Sequence, residues 1–134
     1  MKVKIGDDLP SASVFFLDNS NLVQKQNIRD FTFGGKIIIF GLPGAFTSVC
    51  SAKHLPGFIR SYEDALKKDI QNIFCLSVND PFVMKAWGDQ NNVGNKIKML
   101  SDPFCEFTKF MGLETDKSAK GLGIRSSRYT MLVD

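Results

Sequence analysis

A chain of 134 residues suits one domain whose core removes about two-thirds of the unfolded surface from water. With 43% hydrophobic residues, 23% charged and 12 Phe, disorder, collagen and coiled coil are excluded. The 17 basic and 14 acidic residues leave a formal charge of +3 and are scattered, so no nucleic-acid face is legible, and apolar runs such as Ile37–Phe40 fall far short of the roughly 18 residues that span a bilayer.

At the start, Met1-Lys2-Val3-Lys4 is basic, but Gly6-Asp7-Asp8 interrupts before an apolar targeting core can form. The chain is therefore read as cytoplasmic, or as belonging to an organelle if a targeting peptide has been removed. Ser13 to Leu17 and Leu22 to Gln24 suggest a hairpin across Asp18-Asn19-Ser20-Asn21. Lys36 to Gly41 (KIIIFG) is short, β-branched and bounded by Gly34-Gly35 and Pro43-Gly44, which predicts a strand buried on both faces, and Ile73 to Val78 reads the same way. Between them, Leu55, Phe58, Ile59, Tyr62, Ala65 and Leu66 mark one face of a helix over Ser51 to Asp69. Strand, helix and strand in that order predict a right-handed crossover between parallel strands and an α/β fold.

Further on, Asp80 as cap and Pro81 at the first helical position start a helix whose expected buried face is Phe82, Val83, Ala86 and Trp87. Lys96 to Leu100 predicts a short strand ending at Ser101-Asp102-Pro103, then a helix from Phe104 to Met111 closed by Gly112. Arg128 to Val133 predicts a last strand, at whose end an unpaired edge is a liability, so the chain is read as a possible fragment.

Three cysteines without a C-x-x-C pair point to neither a disulfide framework nor a zinc site, and no metal or other cofactor is expected. Cys75 lies inside an apolar strand and Cys105 beside Asp-Pro, where a cysteine is a small buried hydrophobe. Cys50 differs. The loop from Gly41 to Cys50 leaves a buried strand and enters a helix, whose N-terminus offers outward N–H groups and roughly half a positive charge that favour a thiolate. Such loops, beyond the carboxyl ends of strands, are where open α/β sheets bind ligands. Thr47 can offer a hydroxyl there, while Pro43 and Pro56 bracket the segment. His54, four residues after Cys50, shares its helical face; a Cys-His hydrolase pair is one reading and a hydrogen-bonded packing residue the other.

The run Pro43-Gly44-Ala45-Phe46-Thr47-Ser48-Val49-Cys50, then Ser51 and His54-Leu55-Pro56-Gly57-Phe58, resembles the Pro-x-x-x-Thr-x-x-Cys loop of the peroxiredoxins in its type-five (plant type-II) variant. The match continues through Leu76-Ser77-Val78-Asn79-Asp80, Trp87, Ser101-Asp102-Pro103 and Arg125-Ser126-Ser127-Arg128-Tyr129, nearly the whole chain. The resemblance implies a single thioredoxin-like domain over residues 1–134, a central mixed sheet flanked by helices, without the strand and helix with which the subgroup continues. It implies reduction of hydrogen peroxide and alkyl hydroperoxides with no metal or organic cofactor. By position Cys50 matches the peroxidatic cysteine, Thr47 the hydroxyl that bonds the peroxide, Pro43 the residue that shields the site and Arg128 the guanidinium beside the thiolate, with Arg125 competing for that last role.

The partners implied are glutathione/glutaredoxin or thioredoxin as reductant and a second copy in a homodimer, for which Phe46, Pro81 and Phe82 are candidate contact residues. Trp87 reads as core. A peroxide-sensing or chaperone-like binding protein, oxidised at Cys50 without turnover, is the alternative from another class.

Overall fold

The computed structural model of the chain describes residues 2–32, 35–47 and 54–134. Its N-terminal hairpin pairs β1 (Ser13–Leu17) antiparallel with β2 (Val23–Asn27), in register from Ser13 opposite Asn27 to Leu17 opposite Val23. Asp18 closes the turn by accepting from the N–H groups of Ser20 and Leu22, while Asn21 supplies the left-handed residue at φ 62°. A 3-10 turn over Ile28–Thr32 follows.

β3 (Lys36–Gly41) occupies the predicted span, and β4 (Ile70–Ser77) begins three residues before the predicted Ile73. The two run parallel, as the crossover argument requires. The expected single helix is two segments, α1 (Leu55–Arg60) and α2 (Tyr62–Lys67). The break at Ser61 is shallow, since Ser61 N–H still donates to Gly57 O and Ala65 N–H to Ser61 O. The first turn of the predicted helix, 51–53, lies outside the described residues.

Asp80 caps α3 (Pro81–Gln90) by accepting from Val83 N–H at 2.9 Å, with Pro81 at the start, as expected. Its buried face is different: Pro81, Met84, Trp87 and Gly88 are buried, whereas Phe82 and Ala86 are exposed. Gly88 explains the rotation, because a Cβ there would lie 2.8 Å from Met99 Cγ, so the helix approaches the sheet through a residue without a side chain. Leu66 departs in the same way and is exposed.

β5 (Lys98–Ser101) lies parallel to β4, and α4 (Glu106–Phe110) is held by the buried Asp102 carboxylate, which accepts from Phe107 N–H, Thr108 N–H and the Thr108 hydroxyl. A small polar hairpin, β6 (Glu114–Asp116) with β7 (Ile124–Ser126), was not expected. β8 (Tyr129–Val133) pairs antiparallel with β3.

The six-stranded sheet has the order β2-β1-β5-β4-β3-β8 and is mixed, with β3, β4 and β5 parallel at its centre. Alternate side chains feed two cores. Phe40, Ile73 and Cys75 face Leu55, Phe58, Met84 and Trp87, while Ile37, Ile39, Phe74 and Leu76 face Val14, Ile28, Phe107 and Met111. Burial on both faces fixes the height and direction of the central strands. Their carboxyl ends, Gly41, Ser77 and Ser101, are consequently brought side by side. Gly41 is required there, since a Cβ would sit 2.2 Å from Tyr129 Cε1.

Candidate functional site

Beyond those strand ends, Leu42 N–H still bonds Leu76 O at 3.2 Å, and then the chain turns away from the sheet. Three contacts hold that turn. The Arg125 guanidinium reaches from β7, its Nε donating to Leu122 O at 2.8 Å and its Nη1 to Pro43 O at 3.1 Å. Asn79, two residues past β4, accepts from Ala45 N–H at 2.8 Å through Oδ1. The Thr47 hydroxyl donates back to Gly44 O at 2.7 Å. Gly44 is buried and has no room for a side chain, since a Cβ would lie 2.7 Å from Arg125 Nη1 and 3.3 Å from Thr47 Cγ2. Phe46 is left-handed at φ 64°, a conformation that costs a residue with a side chain energy and persists only where its surroundings enforce it.

The Thr47 bond decides the chemistry of that hydroxyl. Its one proton is given to a backbone carbonyl, so toward any other molecule the oxygen presents lone pairs and acts as an acceptor. Pro43 and Thr47 are both half-buried on this loop.

Cys50 lies outside the described residues, and so does the whole of 48–53. His54 sits in an aromatic group, its ring tilted at 58° to both neighbours and its centroid 5.0 Å from that of Phe40 and 5.5 Å from that of Phe58. Arg128, immediately before β8, places Nη1 2.8 Å from His54 Nδ1. A guanidinium can only donate, so Nδ1 is the acceptor and the ring carries its proton on Nε2. Burial, and after it the Arg128 charge, hold the His54 pKa below its ordinary value of 6.5. A histidine so disposed is a poor general base, which argues against the Cys-His hydrolase reading. The two arginines between which the sequence left a choice thus occupy different places: Arg125 holds the Pro43 carbonyl, and Arg128 lies against the residue that opens α1.

Cys75 and Cys105 are both buried, as expected. Burial, followed by the Asp102 charge, pushes the Cys105 thiol pKa up. Phe46 and Phe82 are exposed, with the Phe46 ring centroid 6.4 Å from that of Trp87, whereas Pro81, a third candidate for a subunit contact, is buried within its own chain. Among the described residues no group of three or more His, Cys, Asp or Glu could hold a metal ion, and no described helix is long and apolar enough to cross a membrane. A cavity of about 600 Å3 opens where β1 parts from β5, bounded by Phe16, Phe31, Phe74 and Lys98; none of the site residues lines it.

Residues 4–134 match the family model described as Redoxin. The chain is 43% identical over 132 residues to Peroxiredoxin-2B of Arabidopsis thaliana, an alignment covering 98% of this chain and 82% of that one. Among solved structures it superposes on reduced Prx3 of Vibrio vulnificus in complex with hydrogen peroxide with a TM-score of 0.93, at 39% identity over 98% of this chain and 82% of the other. It superposes on peroxiredoxin 5 of Alvinella pompejana with a TM-score of 0.88, at 37% identity over 98% and 83%.

The His54 geometry has a consequence for stability. Its folded-state pKa lies below the unfolded value, so the contact contributes stability that is present above about pH 6.5 and lost as pH falls through the lower folded value. Urea midpoints taken at about pH 7.5 and about pH 5.5 should therefore fall more in the parent than in His54→Gln, which can still accept from Arg128 but does not titrate. Equal falls would remove the coupling.

Proposed function

Given that this chain belongs to the peroxiredoxins, in their type-five (plant type-II) subgroup, and is a thiol-dependent peroxidase of thioredoxin-like fold, we propose that Cys50 is its peroxidatic cysteine, with Thr47, Pro43 and Arg128 completing the site. The observation that carries this reading is the folded loop before Cys50, in which Thr47 gives its proton to Gly44 O and keeps its lone pairs for a substrate. A hydroperoxide has one O–H to offer, and it is the partner such an acceptor needs. The relative crystallised with hydrogen peroxide supports this class of substrate.

In the proposed cycle the Cys50 thiolate attacks the terminal, hydrogen-bearing oxygen of ROOH. The S–O bond forms as the O–O bond breaks, giving Cys50–SOH and an alkoxide that takes a proton and leaves as ROH. Thr47 holds the attacked O–H so that the O–O bond lies in line with the sulfur. Pro43 shields the sulfur from water. Arg128 keeps its charge at every relevant pH, so it stabilises both the thiolate and the charge growing on the departing oxygen. His54, accepting from Nη1, would orient that guanidinium.

Reduction of the sulfenic acid requires two thiol equivalents, the first displacing water to give a mixed disulfide and the second releasing Cys50–SH. Burial of Cys75 and Cys105, and the raised pKa of Cys105, favour an external thiol over a resolving cysteine within the described chain. Glutathione/glutaredoxin or thioredoxin is the proposed reductant, in the cytoplasm or another reducing compartment. A sensor without turnover is not favoured, because the relatives are peroxiredoxins.

Cys50→Ser should abolish peroxide turnover with a supplied thiol. Arg128→Ala should retain Cys50 but raise the pH midpoint of its alkylation, because the nearby positive charge is gone. Turnover by Cys50→Ser, or an unmoved midpoint in Arg128→Ala, would contradict the assignment.

The proposed homodimer uses the exposed rings of Phe46, which lies against the buried Trp87, and Phe82. Apolar side chains of this size, exposed next to a site loop, are stabilised by a partner. Phe46→Asp should lower the dimer fraction in sedimentation. A parent that sediments as a monomer at every concentration would refute the contact.

A further inference from the structure

Asn79 lies outside the Pro43–Cys50 loop, in a run of the family resemblance to which no role is attached, and stands 34 positions along the chain from the residue it holds. Its surroundings nevertheless leave its side chain one orientation. The Ser77 hydroxyl donates to Oδ1 at 2.7 Å, and the Ala45 N–H donates to the same oxygen at 2.8 Å. The backbone of Asn79 is fixed as well, since the Ser101 hydroxyl donates to its carbonyl oxygen and Asp102 N–H bonds Ser77 O at 2.8 Å. Ser77 and Ser101 are fully buried at the adjoining ends of β4 and β5. The amide oxygen is thus carried by the buried ends of the central strands and directed at one N–H of the loop.

That N–H belongs to Ala45, next to the left-handed Phe46 and two residues before Thr47. A phenylalanine in this conformation persists only where the surrounding structure holds it there. The bonds to Asn79 and from Arg125 to Pro43 O fix the two peptides that flank Gly44, and the Thr47 hydroxyl closes across Phe46 onto Gly44 O, so the turn is held before and across Phe46. A rotation at Phe46 would carry Thr47 away with it.

We infer that Asn79 is a positioning residue of the peroxidase: by holding the Ala45 N–H against the ends of β4 and β5, it keeps the loop turned so that Thr47 receives the peroxide in line with the reacting sulfur. Asn79 touches no substrate and moves no proton. The inference rests on the proposed roles of Cys50 and Thr47.

The test compares two reactions of the reduced protein. Oxidation by hydrogen peroxide requires both the thiolate and Thr47, whereas alkylation by iodoacetamide requires the thiolate alone. Asn79→Ala should slow the peroxide reaction by about 100-fold, the scale of a misplacement near 1 Å, and leave alkylation unchanged. Ser77→Ala, which removes only the hydroxyl that orients the amide, should slow it by a smaller factor, again without effect on alkylation. Asn79→Asp keeps the acceptor and should recover most of the peroxide rate above its thiol midpoint, which the added negative charge moves upward. Equal slowing of both reactions in Asn79→Ala and Ser77→Ala would mean a general structural role and overturn the inference, as would parental peroxide rates in both. Cys50→Ser is run beside them: turnover there would defeat the site assignment itself, while an inactive Cys50→Ser together with parental rates in the other two would defeat the role of Asn79 alone.

Discussion

The hydrogen bond from Ala45 N–H to Asn79 Oδ1 ties the loop that leaves the sheet to the buried ends of the central strands. On one side are three parallel strands buried on both faces, whose carboxyl ends are fixed by two apolar cores. On the other is a loop that has left the sheet, carries a left-handed phenylalanine and offers a threonine hydroxyl with its lone pairs outward. Backbone groups on such a loop must be satisfied, and here the satisfying groups are also the ones that set its shape. Fold stability and site geometry are coupled through this small set of bonds, with Arg125 and the Pro43 carbonyl closing it from the opposite side.

A second coupling runs through Arg128. A permanently charged guanidinium needs an acceptor to hold it in one place, and the His54 ring provides one while packed at a tilt against Phe40 and Phe58. Burial, and after it the Arg128 charge, lowers the ring's affinity for a proton, which keeps Nδ1 available as an acceptor. A packing role and an orienting role are therefore not rivals at this position. The aromatic contacts are what make the histidine a dependable partner.

How much of this the sequence discloses depends on whether the signal is local. Lys36–Gly41 is legible because a β-branched run between glycines has one reading, and Asp80-Pro81 because cap and first-turn residues are adjacent. The buried face of α3 is not legible in this way, because the helix packs on the sheet at Gly88, and an apolar pattern gives no weight to a residue whose contribution is a missing side chain. The β6–β7 hairpin escaped because Glu114-Thr115-Asp116 and Ile124-Arg125-Ser126 carry no apolar alternation. At the site, Thr47 and Pro43 could be named from one motif, and Arg128 only through resemblance. The partnerships of Asn79 with Ala45 and of Arg128 with His54 join residues 34 and 74 positions apart, a distance that spacing along the chain cannot encode. Two polar residues, Ser77 and Asn79, at the end of a buried strand were the available hint.

Everything proposed for the chemistry turns on one sulfur taking the oxygen from peroxide while two buried thiols remain untouched. Peptide-level mass spectrometry of the reduced protein, treated with one equivalent of hydrogen peroxide and trapped at once with a sulfenic-acid reagent, reads this directly. The expected result is the reagent's adduct on the peptide carrying Cys50, with Cys75 and Cys105 unlabelled and still reduced, and no adduct when a thiol is supplied before the reagent. A disulfide between Cys50 and Cys75 or Cys105, or the adduct found first on either buried thiol, would contradict the assignment.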